Sequence, residues 1–306
     1  MRTIAAKIRK NRIEWVYGYT FIAPIVIGTL LFTIYPIIYS LLMSFTDWNG
    51  LTMGKFVGLN NFRRILTSMK FHREFLNTLY FTFVSVPISV ALSVVLANAL
   101  NKRIRFKTTF RVLYFLPNVT MPVAVALVWK YMFNSQFGIV NILLGFFRIN
   151  GPQWMGDPNW IMPAVIIISI WGSVGYNMVI VLASMQDIPV TFYEAALIDG
   201  ASPSKSFFKI TVPLITPTLF FVITMSVMTA MKEFDIIYMF TMTGAGAFPT
   251  GPVVDGVRTI VFGIYEQAFA QLRFGLGSTE AVILFIFIMI VTFIQFRLQK
   301  KWVFYE

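Results

Sequence analysis

Six stretches of the chain, 17–45, 75–101, 112–129, 160–186, 210–231 and 281–296, contain no Asp, Glu, Lys or Arg and are rich in Leu, Ile, Val and Phe. A bilayer core about 30 Å thick needs roughly 20 apolar residues as helix, so each stretch predicts a transmembrane helix. The sixth is short and must borrow length from its flanks. A secretory leader has an apolar core of about 7 to 15 residues, and the first stretch exceeds that, so it is read as a span. Pro24 and Pro36 inside it predict kinks, because each removes a backbone donor. The pattern predicts an all-α membrane protein of six helices with both termini on one side.

The polar joints carry their own signals. Between the fourth and fifth stretches, Pro189 closes a span, and Thr191-Phe192-Tyr193-Glu194 has the form of a capping box. Gly200 can take the left-handed conformation that ends helices, and Ser202-Pro203 supplies a cap and a first-turn proline for another helix. Segment 187–212 therefore predicts helix, glycine bend, helix. Residues 259–272 have helical apolar spacing, are too short to cross, and include Glu266. They read as an interfacial helix on the outer face, where a soluble partner or only lipid would lie against them.

Composition agrees with that class: of 306 residues, 57% are hydrophobic and only 12% charged, about half the usual share. With no Cys there is no disulfide, thiolate nucleophile or zinc–thiolate site, and one histidine, His72, leaves little for a metal; none is expected. The net charge of +12 reads as basic residues flanking spans and not as nucleic-acid binding. Arg2, Lys7, Arg9, Lys10 and Arg12, then Lys102, Arg103, Arg105, Lys107 and Arg111, with Lys205, Lys209, Arg297, Lys300 and Lys301, make fifteen of the 25 basic residues. They put both termini and segment 187–212 in the cytoplasm. The implied organisation is a basic N-terminal segment 1–16, a membrane domain 17–300 and a tail 301–306. Gly50-Leu51-Thr52-Met53-Gly54-Lys55 fails as a phosphate loop, with one residue too few between the glycines and Phe56 where Ser or Thr is needed. Any ATP must then be handled by a partner.

Glu194-Ala195-Ala196, Gly200 and Ile210-x-x-Pro213 resemble the EAA signature of binding-protein-dependent ABC importer permeases. Ser44-Phe45-Thr46-Asp47-Trp48, Phe56-Val57-Gly58-Leu59-Asn60-Asn61-Phe62, Asn77-Thr78, Phe110-Arg111, Leu116-Pro117, Trp129-Lys130 and Phe133-Asn134 are similar to the carbohydrate branch of that family. The resemblance implies the type I importer architecture. It makes Glu194, Ala195, Ala196, Asp199 and Gly200 the coupling element for a cytoplasmic ATPase. It also implies a second permease in a heterodimer, two ATPase copies holding ATP and Mg, an extracytoplasmic sugar-binding protein, and no catalysis by this chain. The family's Gly-Gly-Pro after span five is replaced by Gly244-Ala245-Gly246-Ala247.

The same resemblance aligns Asn118, Ser173, Tyr176, Ser226, Thr229, Ala230 and Glu233 with the family's sugar pocket, and the changes at Ser173, Thr229, Ala230 and Glu233 argue against maltose itself. Independently, the uncharged span middles suggest a neutral cargo, since buried ionisable groups mark ion paths; Lys130, Lys232, Glu233 and Asp235 read as snorkelling near the ends. The expected function is ATP-driven uptake of a sugar or oligosaccharide by alternating access. The alternatives are a glycerophosphate-type or polyol cargo, an ion-coupled carrier, which should bury acids or His, and an intramembrane hydrolase, which lacks embedded His, Cys or paired carboxylates.

Overall fold

The computed structural model describes residues 2–51, 54–102, 104–242 and 248–304, and within 2–13 the backbone alone. The N-terminal basic side chains, Arg103, Thr52-Met53 and Gly244-Ala245-Gly246-Ala247 therefore lie outside the described residues. What is described is helical, apart from an isolated antiparallel bridge between Thr46 and Phe56.

Helix α1 (Arg2–Thr29) passes through a π-turn at Leu30–Ile34 into α2 (Tyr35–Met43), so the helix runs unbroken from residue 2 into the first span. The π-turn sits just before Pro36, whose ring cannot continue the regular ladder; at Pro24 the helix simply continues. After α3 (Asn60–Leu66), α4 (Met69–Asn101) crosses the whole bundle. Helices α5 (Lys107–Val119) and α6 (Pro122–Met132) follow, then α7 (Ile139–Phe146) and the long α8 (Ile161–Asp187). Next come α9 (Val190–Ile198), α10 (Pro203–Ser206), a π-turn at Phe207–Thr211, α11 (Val212–Leu214), α12 (Thr216–Ala230) and α13 (Asp235–Thr241). The chain closes with α14 (Pro252–Asp255), α15 (Ile260–Tyr265) and α16 (Phe274–Trp302).

Among the described residues four helices are long and apolar enough to cross alone, and counting each of two bent pairs as one span brings the number to six. The sixth span lengthens to Phe274–Trp302, as its short apolar run required. Stretch 112–129 is not one straight helix: it breaks between α5 and α6 with a bend of 100°. The cause is local. Pro122 drives Met121 to extended backbone, ψ 128°, and Thr120 follows at ψ 139°. The released carbonyls are met by Thr120, whose Oγ1 donates to Leu116 O at 2.9 Å and whose N–H donates to Pro117 O at 3.3 Å. The fifth span likewise bends by 67° at Ile215 and runs on to Thr241. Broken backbone at membrane depth is tolerated where it is buried in protein or lines a cavity.

The core is the face between α4 and α8. Ser85, Ser89, Ser93 and Ala97 recur every four residues on α4, and all are buried; small residues let two helices approach closely in a membrane. Ser93 Oγ donates to Val174 O across the contact at 2.9 Å. Such interhelical bonds average about 0.6 kcal/mol, so close packing and not the bond carries the contact. On the other side of α8, a Cβ at Gly175 would stand 1.7 Å from Tyr114 O of α5. By contrast the described side chains of α1 and α2, Glu14–Met43, bury nothing in the chain's own core. They are held near their end, where Asn61 Nδ2 donates to Ser44 O and Thr46 O, and Thr279 Oγ1 to Ser44 O.

Two expectations about the opposite end of the bundle from α9 are corrected. Residues 259–272 do not lie flat on lipid: Ile260, Phe262, Gly263, Glu266 and Ala268 are buried against α4 and α16. Buried acids also exist, since Glu74 is 1% and Glu280 2% exposed. Both precede the uncharged runs, but α4 and α16 start earlier, at Met69 and Phe274, and wind them into the protein.

Candidate functional site

The end of α5 at its break, the middle of α8 and the second half of α12 converge on a cavity of about 320 Å³ floored by α4. Asn118 comes from α5, Ser173 and Tyr176 from α8, Ser226, Thr229 and Ala230 from α12, and Glu233 from the turn after it. All seven positions picked from the sequence thus line one space. Asn118 stands where it does because the helix stops one residue later.

The polar groups divide by what they already bond. Ser85 Oγ donates to Phe81 O at 2.6 Å, Ser89 Oγ to Val86 O at 3.1 Å and Ser173 Oγ to Ile170 O at 3.3 Å. These hydroxyls spend their proton on their own helix and offer the cavity acceptors only. Ser226 Oγ accepts from Asn177 Nδ2 at 3.2 Å, which ties α12 to α8. The side chains of Asn118, Tyr176 and Thr229 make no hydrogen bond among the described residues, which leaves an amide and two hydroxyls to donate and accept. Tyr176 is 44% exposed.

Glu233 is not snorkelling. It lines the cavity, its Oε1 accepts from the Ile236 N–H at 3.3 Å, and its backbone O accepts from Thr259 Oγ1 at 3.2 Å. Lys130 likewise turns inward, Nζ donating to Met242 O. Sequence reasoning missed Asn177, Ser169, Met225, Ser85 and Ser89 on the cavity wall. The four-residue Ser85, Ser89, Ser93, Ala97 rhythm was the signal available for the last two.

The other candidate element is α9 to α10. Its helix begins at Val190 behind Pro189, with no side-chain cap bond, so the capping box read at Thr191 and Glu194 is not formed. Proline already sets the entry geometry, which places Thr191 inside the first turn. The exit is as expected: Gly200 has φ +69°, its N–H donates to Leu197 O at 3.1 Å, and Ala201 N–H reaches Ala196 O at 2.9 Å. Those two bonds are a Schellman ending. Ser202 Oγ then accepts from Lys205 N–H at 3.3 Å, with Pro203 in the first turn of α10. Ala196 faces inward and Tyr193 bonds Thr211 at 2.9 Å. Glu194, Ala195 and Asp199 face out with Leu197 and Ile198, which are 77% and 87% exposed. Beside them a cleft of about 390 Å³ opens against Asn98, Asn101 and Lys102 at the end of α4.

An elbow projecting apolar side chains from a helical bundle, with a polar cavity deep between broken helices, is the layout of a transporter. Residues 50–304 match the family of binding-protein-dependent transport system inner membrane components. The chain belongs to that family. This permease is 33% identical over 303 residues to the probable ABC transporter permease protein YesP of Bacillus subtilis, covering 98% of this chain and 96% of that one. It is 32% identical to the multiple sugar-binding transport system permease protein MsmF of Streptococcus mutans, over 93% and 96% of the two chains. It is 31% identical to the sn-glycerol-3-phosphate transport system permease protein UgpA of Agrobacterium fabrum, over 94% and 96%. The solved structure of a bacterial alginate ABC transporter, in complex with its pentasaccharide-bound periplasmic protein, superposes at a TM-score of 0.83 with 20% identity, covering 96% of each chain. The permease therefore has the type I importer fold.

Proposed function

We propose that this permease carries a neutral sugar or short oligosaccharide through the cavity at Asn118, Ser173, Tyr176, Ser226, Thr229 and Glu233. The observation that carries the reading is the set of three unbonded polar groups, Asn118, Tyr176 and Thr229, drawn from three spans onto one space. A polyol needs both donors and acceptors, and the Tyr176 ring can cover an apolar sugar face. Relatives named for sugars support the cargo class. The relative named for glycerol-3-phosphate keeps an anionic cargo in view, but none of the described residues lining the cavity is a Lys or Arg that would pair with a phosphate.

In the same proposal the chain pairs with a second permease and is itself no enzyme. Two ATPase subunits holding ATP and Mg dock on Glu194, Ala195, Ala196, Asp199 and Gly200 from the cytoplasm, where both termini lie. An extracytoplasmic binding protein delivers cargo to the opposite end.

The test is ATP-dependent uptake by the importer reconstituted with its binding protein, at matched permease abundance. Tyr176→Ala and Asn118→Ala should each raise the half-saturating cargo concentration roughly 5- to 150-fold, the equivalent of about 1 to 3 kcal/mol for one lost buried partner. Basal ATP hydrolysis should persist. Wild-type affinity and rate in both variants would sink the assignment.

A further inference from the structure

Two buried acids at the bundle end opposite α9, Glu74 of α4 and Glu280 of α16, take no part in lining the cargo cavity. Glu74 packs against α15, where a Cβ at Gly263 would stand 2.7 Å from its carboxyl carbon and both its oxygens. Glu280 faces the π-turn at Glu266–Ala270. Three residues before it, on the same side of α16, a Cβ at Gly277 would stand 3.1 Å from Ala268 Cβ and 3.2 Å from Ile264 O. Gln267 of that turn hydrogen-bonds the Glu280 carboxyl, and Glu280 lies within electrostatic range of Glu74. Two carboxyls and an amide thus meet in closely packed protein.

The cations facing them are already engaged. Lys70, one turn before Glu74 on α4, holds Glu266 Oε1 at 2.8 Å; the Arg258 guanidinium holds Glu266 as well, and its Nε reaches Asp255 Oδ1 at 3.2 Å. From there Lys70 and Arg258 attract both buried acids, while Asp255 repels Glu74. The other elements packed on α4 and α16 add no partner: α3 turns Arg63 and Arg64 out to solvent, α2 and α12 hold no charged residue, and the one acid of α8, Asp187, lies at the α9 end. Two cations therefore serve four acids, and no ion pair reaches Glu74 or Glu280 among the described residues.

Hydrogen bonds do not make up the deficit. Both oxygens of Glu74, one of Glu280 and the amide oxygen of Gln267 are buried and receive no donor among the described residues. Acceptors alone face one another here. Ionised carboxylates in such a place would need cations or several N–H donors. A protonated carboxyl is itself a donor, and so supplies the one kind of group this cluster lacks.

We infer that Glu74 and Glu280 form a proton site that latches α4 to α16 and the π-turn, both carboxyls being neutral in the packed arrangement. When a proton leaves for the water of the adjoining cleft, about 430 Å³ and walled by Lys70 and Arg258, a carboxylate without a donor is left in dry protein, and loss of the second sets like charges against each other. The helices are then driven apart. The latch adjoins the cavity. On the next turn of α4, Asn77 Nδ2 donates to Asp255 O and Arg258 O at 2.9 Å and Thr78 Oγ1 accepts the Ile260 N–H at 3.1 Å, while Thr259 between them holds the backbone O of Glu233 in the cavity wall. Rising pH thus loosens the end of the bundle that frames the cargo site.

The test heats the intact importer in nanodiscs between about pH 5, near the ordinary glutamic acid range, and about pH 9, and follows the permease that stays soluble. The folded chain holds protons that the unfolded chain releases, so the stability contributed by the pair is greatest at low pH and is lost as pH rises. The double variant Glu74→Gln, Glu280→Gln copies the neutral acids and cannot titrate. It should melt with wild type at about pH 5 and about 3 to 5 °C above it at about pH 9, the shift that roughly a tenfold change in the folding equilibrium gives. In difference infrared spectra at neutral pH, wild type should show the C=O stretch of protonated carboxyl and the double variant should lose it. A pH-independent gap in melting temperature overturns the inference, as does absence of that band in wild type or failure of the Gln variants to fold at any pH. Stabilisation of wild type by sodium over choline at equal ionic strength, lost in the double variant, also overturns it, because the pair would then hold a metal cation. Neither readout involves cargo, so the latch and the cargo site can fail independently.

Discussion

Gly175 and Gly200 sit 25 residues apart in sequence, and the two regions around them need glycine for opposite reasons. At Gly175, within regular α8, a Cβ would meet Tyr114 O and C of α5 at 1.7 and 2.4 Å. At Gly200, between α9 and α10, nothing lies within 4 Å of an added Cβ, but φ is +69°. The first is a matter of space between two spans, the second of backbone conformation in a projecting elbow. The bundle near the cavity is thus fixed by tertiary contact, and the elbow by its own local bonds.

The largest expected effect follows from the first half of that contrast. In Gly175→Ala the atom met is backbone of a neighbouring span and cannot swing away, so α5 must separate from α8 and carry Asn118 out of the cavity wall. Overpacking of this kind costs about 1 to 3 kcal/mol or more. The variant should melt markedly earlier in detergent, and what remains folded should lose cargo affinity. A melting temperature equal to wild type would show that the α5 to α8 contact is looser than described.

The elbow should respond differently. In Gly200→Val a β-branched residue is forced to positive φ, a strain of about 1 to 3 kcal/mol borne by a few exposed residues. Global melting should shift less than in Gly175→Ala, while ATPase copurification and cargo-stimulated hydrolysis should fall. Preserved coupling in this variant would remove the reason for treating the elbow as the transmission element.

The same contrast explains what could be read from residues alone. Gly200, Ser202 and Pro203 act on backbone groups within four residues, so their pattern announces the bend directly. The mistake at Thr191 and Glu194 came from weighing a side-chain cap over Pro189, which starts the helix without one. Gly175 carried no local sign, because Tyr114 is brought to it by the fold. The break at Thr120-Met121 was half visible: Pro117 and Pro122 stood in plain view, but uncharged apolar residues on both sides made 112–129 look continuous. Asn177 and Ser226 became partners only when α8 met α12. The burial of Glu74 and Glu280 escaped notice because lack of charge marks where a span is apolar, not where its helix begins.

The smallest and sharpest comparison lies within the elbow. Ser202 performs a structural task, accepting the Lys205 N–H, and Ser202→Ala should cost about 0.5 to 2 kcal/mol of local helix stability. Glu194 is exposed and forms no hydrogen bond or ion pair among the described residues. With no capping box to lose, Glu194→Ala should leave thermal stability within about 0.5 kcal/mol of wild type, as surface changes usually do. If Glu194 contacts the ATPase, the variant should still lower cargo-stimulated hydrolysis and weaken ATPase retention on a column. Stability lost with coupling intact would return Glu194 to a capping role, whereas coupling lost at full stability assigns its carboxylate to the partner.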